Sequence, residues 1–266
     1  MYELAQVDFY KVKPLLEGHF LQPEMVSVIE GNNPGWIFVD KMDQPRTALV
    51  WSKGIQGFYL IGDDMNPAFI AELDDYINTH VAPRMREAGL DHFECSGQHD
   101  KWMLDVVFAS RSLHPFVQLV FKLLQKPSAP SASGMKTINL KTDNWQDLPY
   151  SNLAFVKDTL ELFWSSIDHF KEKGYGFAAI DGSEIIGVCY SSFVTKDTHA
   201  IGIETLPQHQ KKGVGTHLSS LVVNEIAENG FMPYWDCSSD NEGSQKVALR
   251  IGLEQVHQYR CSSFSI

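Results

Sequence analysis

Seven consecutive residues, Gln210, Lys211, Lys212, Gly213, Val214, Gly215 and Thr216, have the types and spacing to hold an anion. Two glycines one residue apart remove side chains where a backbone must approach a ligand closely, and an amphipathic run begins beside them. Such a loop gathers backbone N–H groups at a helix N-terminus, where a phosphate meets those donors and the positive end of the helix dipole. Lys211 and Lys212 either add charge toward the phosphates or stand solvated beside the loop. Two familiar phosphate loops are excluded. No glycine is followed by the Lys-Ser or Lys-Thr of GxxxxGK[ST], and Leu218 stands where a dinucleotide fingerprint needs its third glycine. Taken alone, GVG also fits an ordinary strand-to-helix turn.

Context separates these readings. QKKGVG has the form [QR]-x-x-G-x-[GA], follows a short apolar strand, and opens a helix with Leu218, Leu221, Val222 and Ile226 on one face. With the strand PYWDCS after that helix and NEGSQKVALRIGL from Asn241 to Leu253, the loop resembles the GNAT superfamily of acyl-CoA-dependent N-acetyltransferases. The wording IETLP, KKGVG, YWDC, N..S and GL is also similar to the zwittermicin A resistance-like branch. The likeness runs from about Gly176 to the C-terminus, and earlier residues follow it in element order alone.

The resemblance implies an α/β GNAT (acyl-CoA N-acyltransferase) fold in the C-terminal half, with acetyl-CoA as cosubstrate. Gln210 to Thr216 would hold the pyrophosphate. The strand before the loop, with Ile203 and Thr205, and the strand from Tyr234 to Cys237 would splay to offer backbone groups to the pantetheine arm. In the family, residues at the positions of Asn241 and Ser244 contact that arm or sit beside the thiol, and here the pair also suits a helix cap. Glu204, at the end of the strand beside the thioester, is the candidate general base, with a strand-end surface acid as the other reading. The family's thiolate-protonating tyrosine is replaced by Ala248. Tyr259, Tyr234, Cys261 and His257 are candidate substitutes, with Tyr259 put forward. Asp236 is a candidate to face the acceptor, whereas Asp158, Glu161 and Asp168 read as the outer face of a helix from about Leu153 to Lys173. The expected activity is acetyl transfer to a primary amine of a small molecule, polyamine-like or antibiotic-like. The alternative is an acetyl-CoA sensor without turnover, which Ala248 favours.

The elements that must position these residues fall into two similar series. WIFVD, TALVW and GFYLIGD read as strands, followed by a helix from Pro67 to about Glu87, the strand FECSG, a short helix and the strand VQLVFKLL. GFAAID, EIIGVCYSSFV and AIGIET repeat the order, followed by a helix from about Val214, PYWDCS, a short helix and EQVHQYRCSSF. An offset of roughly 140 residues relates the series, although any antiparallel meander followed by βαβ units has the same order. PSAPSASGM has the composition of a connector. The expected domains are therefore a degenerate GNAT-like N-terminal lobe over 1–126, a linker over 127–135 and a catalytic domain over 136–266. At the turn equivalent to the phosphate loop the first series reads IGDDMNPAF. Asp63 and Asp64 would repel a pyrophosphate and Pro67 removes a donor, so no coenzyme is expected there.

With 22 Lys and Arg against 33 Asp and Glu, the chain carries a net charge of −11, which disfavours nucleic acid and favours a cationic small partner. No basic start precedes an apolar run and no segment suits a bilayer, so a cytoplasmic protein without membrane contact is expected. Four cysteines, Cys95, Cys189, Cys237 and Cys261, lack CxxC spacing and are expected to be reduced and mostly buried. The ten histidines show no ligand spacing, so no metal is expected.

Overall fold

The computed structural model describes residues 1–16, 21–125 and 134–266. Residues 127–133 of the expected connector lie outside this set. The chain forms two compact units, Met1–Gln118 with Tyr259–Ile266, and Leu119–Gln258. The units do not follow the linear halves: the last eight residues belong to the first unit, and the end of the strand VQLVFKLL belongs to the second.

The first unit holds β1 (Tyr2–Glu3), α1 (Pro23–Ile29), β2 (Gly35–Val39), β3 (Thr47–Ser52), β4 (Gly57–Gly62), α2 (Pro67–Tyr76), α3 (Ala82–Glu87), β5 (His92–Gly97) and α4 (Leu104–Val107). β6 (His114–Lys122) begins in it and ends in the second unit. β2, β3 and β4 pair antiparallel, and β5 pairs parallel to β4. The predicted helix from Pro67 to Glu87 is continuous through a π turn at Ile77–Val81. Pro83 lies just beyond that turn; its ring lacks an N–H and crowds the carbonyl four residues back, which a locally widened helix relieves. One core lies between this sheet and α2–α3, where Phe58, Phe93 and Phe264 stack in series at 4.2 and 4.9 Å.

The second unit holds β7 (Lys136–Asn139), α5 (Leu153–Phe163), α6 (Ile167–Lys173), β8 (Gly176–Asp181), β9 (Glu184–Val194), β10 (Thr198–Thr205), α7 (Val214–Glu228), β11 (Met232–Ser238) and α8 (Glu242–Arg250). β12 (Glu254–Ser265) begins here, and its residues Cys261 to Ser265 pair antiparallel with β5 of the first unit. β7, β8, β9 and β10 are successively antiparallel, and β11 is parallel to β10, so both units share one pairing pattern. The sheet is apolar on both faces. α7 buries Val214, Leu218, Val222, Val223 and Ile226 against one face, with Ile201, Cys189 and Trp235. α5 and α6 bury Val156, Leu160, Ile167 and Phe170 against the other, with Ala178, Val188 and Tyr190.

The expected single helix from Leu153 to Lys173 is two helices. Trp164 is extended so that its Nε1 donates to the Ser191 carbonyl at 2.9 Å, and Ser166 starts α6 by accepting from His169 N at 3.1 Å. Asp158, Glu161 and Asp168 do face outward.

His199 on β10 is 1% exposed. Ser191 Oγ accepts from Tyr175 N at 3.1 Å, leaving its own hydrogen for His199 Nδ1 at 3.0 Å, which suits a neutral imidazole. Burial, helped by the Lys141 charge, pushes His199 down from 6.5 to about 4. The unfolded chain therefore binds a proton that the folded chain refuses. This contribution is fully present above pH 6.5 and is lost as pH falls toward 4, roughly 3 kcal/mol in all. Urea unfolding at a series of pH values checks it: stability should fall through this window, and the slope should flatten in His199→Phe.

Candidate active site

The loop predicted to hold an anion is built by two left-handed residues. Lys211 has φ +60° and Gly213 φ +84°, so successive N–H groups turn toward one side as a nest. Gly213 is the N-cap of α7 and contributes no side chain, so no cap hydrogen bond covers the first N–H groups of a fifteen-residue helix. A Cβ at Gly213 would meet nothing within 4 Å, which leaves the mouth of the nest open. Gln210 ties the loop back to its strand by donating from Nε2 to the Thr205 carbonyl at 3.3 Å. Lys211 and Lys212 are exposed.

The strand feeding this loop parts from its parallel neighbour. β10 and β11 pair from Thr198 with Met232 to Ala200 with Tyr234, and no further pair is formed among the described residues. The split coincides with a register shift between Ala200 and Ile201, where β9 carries one extra residue, Ser192. Such an irregularity sharpens local twist. Beyond it, alternation sends Ile203 and Thr205 toward α7 and Glu204 to the other face. Close packing confirms the first pair, because a Cβ on Gly215 would lie 3.1 Å from Ile203 and 3.8 Å from Thr205 Oγ1. The predicted residues Ile203, Thr205, Gln210, Val214 and Gly215 therefore come together around one strand-to-helix junction, with Lys211, Lys212, Gly213 and Thr216 completing the loop.

Glu204 is exposed, with no ion-pair partner among the described residues, and the protein around it still raises its carboxyl above the usual range by desolvation. Its charge acts on the phenol of Tyr190, a residue that sequence reasoning missed. Gly176 and Gly202 flank Tyr190 across the sheet, a juxtaposition that no linear pattern displays.

Asn241 and Ser244 sit where β11 meets α8. Asn241 Oδ1 accepts from Ser244 N at 3.0 Å and so caps the helix as expected, while Ser244 Oγ accepts from Trp235 Nε1 at 2.9 Å. Ala248 is fully buried in the apolar core, so that position holds no titratable group. Tyr259, put forward in its place, is 7% exposed and belongs to the first unit, whereas Glu204 and the loop belong to the second. Tyr234 is fully buried and His257 exposed. All four cysteines are buried free thiols, and burial pushes Cys189 up to about 12.

The equivalent junction of the first unit is filled by its own side chains. Asp63 pairs with Arg46 and accepts from Met65 N at 3.0 Å. Asn66 caps α2 at Phe69 N and donates to Asp40 and Thr47, each at 3.0 Å.

A model of the GNAT acetyltransferase family matches residues 13–262. The chain belongs to that family. It is 24% identical over 260 residues to an uncharacterized N-acetyltransferase, YdfB, of Bacillus subtilis (strain 168), covering 97% of this chain and 96% of that one. Among solved structures, a GCN5-related N-acetyltransferase-like protein from Streptococcus suis 89/1591 superposes with a TM-score of 0.68 at 15% identity, covering 98% and 100% of the two chains. A tandem GNAT protein from the clavulanic acid biosynthesis pathway gives 0.59 at 11% identity, covering 99% and 97%. GNAT acetyltransferases use acetyl-CoA, and the nest at α7 has the chemistry its pyrophosphate requires. Among the described residues no group of three or more His, Cys, Asp and Glu could hold a metal ion, and no helix is long and apolar enough to cross a membrane.

Proposed function

We propose that the second unit binds one acetyl-CoA and transfers its acetyl group to the primary amine of a small molecule. The observation that carries this reading is the junction of β10 and α7. An open, side-chain-free nest lies at the N-terminus of α7, a few residues past the point where β10 and β11 part. Acetyl-CoA supplies the acyl group as a thioester. The nest donates to its pyrophosphate, unpaired backbone groups beyond Ala200 receive its arm, and Asn241 and Ser244 lie beside that path. Glu204 takes a proton from the acceptor amine, directly or through water, and its raised pKa makes it a better base than an ordinary surface carboxylate. The net charge of −11 favours a cationic, polyamine-like or antibiotic-like acceptor. The sequence likeness to the zwittermicin A resistance-like branch points the same way. We place the activity in the cytoplasm.

The first unit, in this reading, is a degenerate GNAT-like lobe that binds no coenzyme. Asp63 and Asn66 already occupy the backbone donors that a phosphate would need. Calorimetric titration of acetyl-CoA into the full chain should give one site per chain. Two sites would overturn the degenerate-lobe reading, and none would remove the enzymatic one.

Ala248 favours a second reading, an acetyl-CoA sensor without turnover. Thiol release with a panel of primary amines separates the two: binding at one site with no release for any amine selects the sensor.

A further inference from the structure

Tyr190 lies on β9 between two glycines of neighbouring strands, Gly176 of β8 and Gly202 of β10. Neither glycine has a positive φ, so backbone freedom does not explain them. Space does. A Cβ on Gly202 would stand 2.6 Å from Tyr190 Cζ and 2.9 Å from its hydroxyl oxygen, and one on Gly176 would stand 3.2 Å from Tyr190 Cβ. The phenol therefore lies across β10, in the volume that a side chain at 202 would fill. Phe163 meets the ring edge-on at 5.4 Å and is itself braced by Phe193 at 5.3 Å.

The tyrosine is 2% exposed, and its hydroxyl, which has no hydrogen-bond partner among the described residues, is not among the fully buried oxygens and so can be reached from outside the chain. A hydroxyl at the open end of an otherwise buried ring takes its hydrogen bonds from water or from a ligand. Two residues along β10 and on the same face stands Glu204, close enough for its charge to act on the phenol. Burial and that charge keep Tyr190 neutral, its pKa well above the ordinary value. A hydroxyl oxygen open to an outside donor and an unpaired carboxylate on one face, with an aromatic ring behind them, form a receptor for an N–H-bearing cation.

We propose that Tyr190 binds the acceptor amine, its phenolic oxygen accepting one N–H while the Glu204 carboxylate accepts another. The proposal rests on Glu204 serving as the base. One ammonium proton passes to a Glu204 oxygen. The neutral amine keeps an N–H on Tyr190, and that contact fixes the direction of the freed lone pair. A protonated tertiary amine has a single N–H and cannot serve both oxygens, so the pair discriminates against tertiary amines and admits primary ones.

The test titrates n-butylamine and N,N-dimethylbutylamine into the full chain, with and without coenzyme A, followed by ligand-detected NMR. The wild type should prefer the primary amine. Tyr190→Phe, which keeps the ring and its packing, should weaken n-butylamine about tenfold and leave the tertiary amine unchanged. Gly202→Ala should give the same loss by displacing the phenol. Equal n-butylamine affinity in wild type and Tyr190→Phe, or no binding to the wild type, would overturn the proposal. Acetyl transfer by Glu204→Gln at the wild-type rate would instead refute the base, while the preference for primary over tertiary amine still reports on Tyr190.

Discussion

Gly213→Asp should abolish acetyl-CoA binding while the protein stays folded. The position is left-handed at φ +84°, which costs a non-glycine residue about 1–2 kcal/mol, and aspartate is among the residues that best tolerate it. A Cβ there would touch nothing within 4 Å, so no packing is disturbed. What changes is the field at the nest. A carboxylate about 4 Å from a bound phosphate in a half-screened setting opposes it by about 4 kcal/mol, close to a thousandfold in affinity. It would also accept from the N–H groups that the phosphate needs, as Asn66 does at the first unit's junction. Calorimetry gives the affinity and thermal unfolding reports the fold. Gly213→Ala carries the same backbone strain without the charge, and it should retain measurable binding. Unchanged affinity in Gly213→Asp would mean that the coenzyme binds elsewhere.

Much of this architecture was legible because it is written locally. The helix from Val214 was announced by glycines ahead of an apolar stripe, and in the structure it runs to Glu228. The strands GFAAID and EIIGVCYSSFV appear with the expected bounds, joined through Gly182 at φ +59°. Short elements with weak periodicity escaped, among them α1 (Pro23–Ile29), whose seven residues are all buried and so show no amphipathic pattern. The division of the chain escaped for a different reason. Hydrophobic alternation identifies a strand but not its partner, and the partner of Cys261 to Ser265 is β5, more than a hundred residues earlier.

The candidate site divides in the same way. The nest and the Asn241 cap are contiguous motifs whose geometry follows from their spacing, and Glu204 was singled out by its place at a strand end through the family resemblance. Tyr190 depends on two glycines that meet it only through sheet register, and Gly202 read in isolation is a small residue in an apolar strand. The one available signal was that glycine inside AIGIET, since an isolated glycine in a strand often marks the close approach of another group. The first unit's junction was read as hostile to phosphate from Asp63 and Pro67 alone. The role of Asn66, which caps α2 and binds Asp40 and Thr47, required the tertiary structure.

Glu204→Gln should leave acetyl-CoA affinity unchanged and lower turnover by about a hundred- to ten-thousandfold, the range for losing a positioned general base. Glutamine preserves the shape and the strand, and residue 204 points to the face opposite Ile203 and Thr205, so the coenzyme side of β10 is undisturbed. The pH profile distinguishes a base from a residue that merely orders the site. Desolvation raises the Glu204 carboxyl above its ordinary 4.5, so protonation should remove activity as pH falls, at a pH higher than a solvated carboxylate would give. In Glu204→Gln that acid limb should vanish, leaving a low rate set by how much amine is already neutral. A coupled assay of thiol release from pH 5 to 9 in both proteins measures the limb directly. If the variant keeps the wild-type limb, another group carries the proton, and Glu204 serves only to attract the ammonium.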